Sequence, residues 1–149
     1  VLYNTILGCM NNSVLFVNVR ELNSLCYHIG SIINKYTDTI IIESGINGKN
    51  FQLAYSLISK CLEDMKNEET IKPLIKNAKK TLEIAFNDFY DNKIKIMNYY
   101  YMNEFGYTPS IEERRKRVSE CTIEKIIDLA SKVKMKDIFL LEGVNNEEN

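Results

Sequence analysis

Arg20 and Tyr27 are the two side chains of this 149-residue chain whose chemistry and spacing set them apart. They stand seven residues apart in Val19-Arg20-Glu21-Leu22-Asn23-Ser24-Leu25-Cys26-Tyr27, where a helical pattern gives way to a strand pattern. A guanidinium and a phenol are both hydrogen-bond donors, and two donors converging on one oxygen would stabilise negative charge developing there. The spacing also fits a plainer arrangement, in which Arg20 pairs with Glu21 or another surface carboxylate and Tyr27 packs in the sheet. Spacing alone favours that plainer arrangement.

The remaining candidates read as structural. His28 is the single histidine, has no Cys or carboxylate at ligand spacing, and alternates onto the strand face opposite Tyr27. Four cysteines at 9, 26, 61 and 121 form no C-x-x-C pair, so they read as free buried thiols rather than as a zinc finger, redox pair or disulfide framework. Tyr99-Tyr100-Tyr101 with Phe105 and Tyr107 would either grip peptide side chains or pack helices, and packing is the commoner use. Arg114-Arg115-Lys116-Arg117 follows Glu112-Glu113 on one helix, which points to same-helix ion pairing rather than a nucleic-acid patch. With 19 basic against 20 acidic residues, the net charge of −1 gives no electrostatic reason to expect nucleic acid or an anionic membrane as partner.

The elements that must position Arg20 and Tyr27 follow from hydrophobic period and turn chemistry. Residues 1–7 read as a helix tail stopped by Gly8 in a left-handed conformation, and 13–21 as a short helix. Two β-rich runs, 25–33 and 39–44, flank the polar turn Asn34-Lys35-Tyr36-Thr37-Asp38, and Gly45-Ile46-Asn47-Gly48 leads into the next helix. Asn50 caps a helix whose inward stripe is Phe51, Ala54, Tyr55, Ile58, Cys61, Leu62 and Met65. Thr70 caps the next, with Pro73 in its first turn, and the stripe continues from Ile71 to Phe89. A helix over 93–105 turns Ile94, Met97, Tyr100, Tyr101 and Phe105 inward and ends at Gly106. Ser110 and Glu113 form a capping box, Thr122 opens a final helix, and 137–142 reads as a closing strand before an acidic tail. Strands grouped apart from helices predict an α+β fold, an antiparallel sheet with helices on one face. A 45% apolar chain of this length suits one domain with a substantial core, and its apolar runs are too short to span a bilayer. A cytoplasmic setting fits the free thiols.

The region from Leu7 to Tyr27 resembles the downstream domain of the insulinase, pitrilysin and processing-peptidase family of zinc metallopeptidases. That family has a Gly-rich helix end, a short helix closing on Leu-Phe-x-x-Val-Arg-Glu, and a Leu-x-Tyr strand. Here the text is Leu15-Phe16-Val17-Asn18-Val19-Arg20-Glu21 and Leu25-Cys26-Tyr27, and Thr122-Ile123-Glu124-Lys125-Ile126 is similar to the family's closing helix. The departure is Gly8-Cys9-Met10-Asn11-Asn12 where many members carry consecutive glycines. The wording Arg20-Glu21-Leu22-Asn23-Ser24-Leu25-Cys26-Tyr27 is nearest to bacterial members that lack the zinc motif and pair with a zinc-bearing sister chain.

The resemblance implies residues 1–144 as an N-terminally truncated downstream domain, cut from a longer protein, with 145–149 a flexible tail. It implies Arg20 and Tyr27 as catalytic donors to the scissile carbonyl in a composite site, with a peptide as substrate. Zinc is expected in an upstream domain or sister subunit, because one histidine cannot write H-x-x-E-H. This chain alone is then expected to hold no cofactor and cleave nothing. The alternative is a non-catalytic scaffold or interaction subunit of the same fold.

Overall fold

A computed structural model describes residues 1–106 and 108–141. Its order is helical segment, short helix, antiparallel hairpin, then five longer helices, which is the α+β class expected. Helix α1 (Leu2–Asn4) runs directly into a first π-helix (Thr5–Cys9), so Gly8 lies inside a helical segment and does not end it. Chain direction changes only at Met10, whose backbone is extended. Gly8 is needed for a different reason: a Cβ there would meet the Ser31 side chain and stand 2.8 Å from the Ser31 backbone nitrogen. The glycine lets the helix touch the sheet, and polar groups fasten the contact. Asn4 Nδ2 donates to the Ser31 carbonyl (3.1 Å), Cys9 Sγ donates to the same oxygen (3.3 Å), and Ser31 Oγ donates to the Asn4 carbonyl (3.4 Å).

A second π-helix (Phe16–Glu21) follows, then strands β1 (Cys26–Asn34) and β2 (Thr39–Ile46). The hairpin is antiparallel, with Asn34 opposite Thr39 and Ile29 opposite Ser44. Its turn is closed by Tyr36 N–H donating to Asn34 Oδ1 (3.0 Å) and by Asp38 at φ +49°. Among the described residues the sheet has two strands. The closing strand expected over 137–142 is not formed by its described part, residues 137–141, and Glu142 lies outside the described residues. A strand is a paired object, and this segment pairs with no strand among the described residues; Phe139 and Leu141 are 93% and 98% exposed.

Helix α2 (Phe51–Asp64) buries Ala54 and Cys61, and Met65 just beyond it, but leaves Tyr55 exposed. Asn50 makes no side-chain cap; Asn47 does so one short turn earlier, accepting from Lys49 N–H (3.1 Å). Helix α3 (Glu68–Asp91) begins before Thr70, so Pro73 falls inside it rather than in its first turn. Ile71, Ala78, Leu82 and Phe86 face inward and join Ile6, Leu7, Leu15, Val19, Ile29, Met65 and Ile126 in one core. Helix α4 (Lys93–Asn103) is rotated from expectation. Its half-buried stripe is Ile96, Tyr99 and Met102, while Ile94, Met97, Tyr100, Tyr101 and Phe105 are exposed. Helix α5 (Ile111–Ser119) starts with the Ser110–Glu113 capping box formed in both directions. Helix α6 (Ile123–Lys132) is capped by Thr122 and buries Ile126 and Ala130.

Candidate functional site

Arg20 rides on the second π-helix, a wide-turn geometry that recurs at functional sites. The chain leaves that helix through Ser24, a non-glycine residue at φ +50°. Ser24 N–H donates to the Arg20 carbonyl (2.9 Å) and Leu25 N–H to the Val19 carbonyl (3.2 Å), so the backbone on both sides of the exit is tied down. Val19 is fully buried, which anchors the turn carrying Arg20 to the core.

The strand that follows is bulged. Cys26 pairs with Ile46 and Ile29 with Ser44, so Tyr27 and His28 together face the single residue Gly45. Ser44 Oγ donates to the His28 carbonyl (3.0 Å) inside this irregularity. Strict alternation fails here, and both Tyr27 and His28 are exposed instead of one being turned away. The His28 Nε2 lies 3.7 Å from Glu43 Oε1 across the hairpin.

The bulge and the helix exit bring Arg20 and Tyr27 to one place. The guanidinium carbon lies 5.9 Å from the Tyr27 ring centroid and 4.6 Å from that of Phe16, stacked between an exposed ring and a partly covered one. Arg20 Nε is 3.9 Å from Glu21 Oε1, a loose pair between exposed groups that leaves the guanidinium edge open. Tyr27 is 90% exposed, so it does not pack in the sheet. The arrangement is a ledge that carries a cation and an exposed phenol side by side. The Glu21 carboxylate and the His28 imidazole stand beside it.

The donor set does not suit zinc. Among the described residues no three His, Cys, Asp or Glu side chains cluster as metal ligands, and His28 has Glu43 alone. The cysteines are free: Cys61 is buried, Cys26 and Cys121 are partly covered, and Cys9 is exposed, against the expectation that all four are buried. Of the basic run on α5, Arg115 pairs across helices with Glu83 and Asn87 of α3, whereas the same-helix pair found is Lys116 with Glu120. Of the aromatic cluster, Tyr99 turns inward against Phe89, while Tyr100, Tyr101 and Phe105 stay at the surface; Tyr107 lies outside the described residues. The bulge and the Ser24 exit carried no signal in the sequence, since register is set by the partner strand and Ser has no special claim on positive φ.

No protein-family model matches the chain. It is 28% identical over 142 residues to a Bacillus subtilis (strain 168) protein named "Probable inactive metalloprotease YmfF", an alignment covering 95% of this chain and 33% of that protein. It also superposes on the crystal structure of a conserved protein from Enterococcus faecalis V583 with a TM-score of 0.74 and 29% identity, over 88% of this chain and 31% of the other. The chain thus spans about a third of the length of each. It is similar to a protein named as a probable inactive metalloprotease, and its fold is that of a solved structure. No helix of the described residues is long and apolar enough to cross a membrane.

Proposed function

We propose that this chain is the non-zinc half of an insulinase-like metallopeptidase, a downstream domain whose Arg20 and Tyr27 donate hydrogen bonds to the scissile carbonyl of a peptide. The observation that carries this reading is the ledge itself: a guanidinium 5.9 Å from an exposed tyrosine ring, the one on a π-helix and the other on a β-bulge. Amide hydrolysis passes through a tetrahedral species with a full charge on the former carbonyl oxygen. Two donors aimed at that oxygen stabilise it more than the neutral substrate, and removing one such donor typically lowers kcat by ~10²–10³-fold. The Arg20 cation supplies long-range attraction, and the Tyr27 hydroxyl supplies a short directional bond. The metal that activates water in this class of enzyme belongs, in this reading, to an upstream domain or a sister subunit.

The test is hydrolysis by the full parent protein with its zinc-bearing partner, comparing wild type with Arg20→Gln and Tyr27→Phe. Each variant is expected to lose about a hundredfold in kcat, with zinc content and thermal stability unchanged. Undiminished turnover in both variants would refute the role of the ledge.

A second reading is a non-catalytic scaffold or interaction subunit of the same fold. The word "inactive" in the name of the Bacillus subtilis relative favours it. In that case the wild-type assembly shows no turnover that depends on this chain, so omitting the chain leaves the rate of the zinc-bearing partner unchanged.

A further inference from the structure

Away from the ledge, at the turn end of the hairpin, the molecule has a second concave site. Tyr27 and Lys35 are eight residues apart along β1 and its turn, about 25 Å in an extended strand. There Lys35 and Tyr36 overhang a groove of about 570 Å³ floored by Phe86 and Phe89 of α3, walled by Tyr99 and Met102 of α4, and closed by Arg114 of α5. The turn is held over the groove by Tyr36 Oη donating to Met102 Sδ (3.0 Å). That volume lies within the range of small-ligand sites, and its walls are mainly aromatic.

The charges in the groove are one-sided. Three cations line it, Lys35, Lys95 and Arg114. Lys95 is satisfied by Asp88. Lys35 and Arg114 have no carboxylate partner among the described residues. Arg114 is positioned firmly all the same: its Nε donates to the Pro109 carbonyl (3.0 Å) and its guanidinium carbon stands 5.7 Å from the Tyr99 ring centroid. Its terminal nitrogens make no hydrogen bond among the described residues and are left for a ligand. The Lys35 ammonium is lowered in proton affinity by partial burial first and by the nearby Arg114 charge second. Like charges held together beside low-dielectric walls attract a compact anion attached to an apolar group, and a carboxylate suits a guanidinium fork.

We infer that this groove binds the C-terminal carboxylate of a peptide that ends in an apolar or aromatic residue, with Arg114 and Lys35 on the carboxylate and Phe86, Phe89 and Tyr99 around the terminal side chain. The choice of a peptide rests on the reading of the chain as part of a peptidase, in which free C-termini arrive with substrates and are created by every cleavage. The site deepens that reading by giving the protein a peptide anchor separate from the oxyanion ledge.

The experiment is calorimetric titration of the protein with N-acetyl-Ala-Ala-Ala-Phe as the free acid and as the C-terminal amide. It needs no zinc-bearing partner and no turnover, so its outcome is independent of whether Arg20 and Tyr27 act in hydrolysis. The free acid is expected to bind at least tenfold more tightly than the amide. Lys35→Gln and Arg114→Lys should each weaken the acid at least fivefold while leaving the amide unchanged, and Arg20→Gln should alter neither. Lys35→Gln alters an exposed turn residue and keeps the test valid should the Arg114 variant misfold. Equal affinity for acid and amide, or no binding at millimolar peptide, overturns the proposal. So does 3-phenylpropionate binding as tightly as the peptide acid, because the site would then recognise a small aromatic acid rather than a peptide end.

Discussion

Arg20 owes its position to its neighbours' backbone rather than to its own charge. Its carbonyl is held by Ser24, the preceding residue Val19 is sealed in the core, and its guanidinium lies against Phe16. That the Arg–Tyr pair converges was partly legible in the sequence, because a helix end followed closely by a strand brings both residues to one edge. The bulge that pushes Tyr27 and His28 outward together was not, since it depends on how β2 pairs. Gly8 teaches the same lesson in reverse. Its presence was visible, but its reason is contact with Ser31 and not a left-handed stop. Gly8→Ala is expected to destabilise the fold by about 1–3 kcal/mol, seen as a lower urea midpoint, because backbone must move to admit the methyl group. Two other buried groups set the alkaline limit. Burial raises the Tyr3 phenol from 10.0 to about 12, and burial, with Asp64 adding to it, raises the Cys61 thiol from 9.0 to about 11. The unfolded chain then loses these protons first, so their contribution is intact below about pH 9 and is lost as pH rises through 11 to 12. The Tyr3 hydroxyl is buried without a hydrogen-bond partner among the described residues. Tyr3→Phe is therefore expected to raise stability by about 1–3 kcal/mol at neutral pH and to flatten much of the loss between pH 10 and 12 in denaturant titrations.

At the scale of elements, the hairpin and the capping box formed as their local signals indicate, while the caps expected at Asn50 and Thr70 did not. The hairpin was readable because its turn is short and its strands are β-branched. The capping box was readable because its two residues stand at fixed spacing. Ser110→Ala is expected to cost about 1 kcal/mol, measurable as a lower melting temperature, and to loosen the start of α5 from which Arg114 reaches the groove. Helix α4 turns a different face inward from the one its sequence suggests. Ile94, Ile96, Met97, Tyr99, Tyr100, Tyr101 and Met102 give it apolar residues on every side, so periodicity admits more than one inward face. Packing against α3 chose Ile96, Tyr99 and Met102, and left the alternative stripe in water. The closing strand failed for the complementary reason. Its residues have the right character, but strand formation needs a neighbour, which a one-dimensional reading does not reveal.

At the scale of the molecule, much apolar surface is uncovered. Tyr100, Tyr101 and Phe105 on and after α4, Ile32 and Ile41 on the hairpin, and Phe139 and Leu141 near the end of the described chain are all about half exposed or more. This chain on its own is accordingly expected to self-associate at micromolar concentration, with light scattering reporting a mass above 17.3 kDa. The relatives are about three times as long, and the proposed chemistry needs a partner segment, so the decisive measurement belongs to the assembled protein. It is a double-mutant cycle on peptide turnover with Arg20→Gln, Tyr27→Phe and the pair together. Two donors to one oxygen predict single losses of about a hundredfold each and a double variant little worse than either, because they act as a unit. A double variant that turns over peptide as fast as wild type would contradict the account.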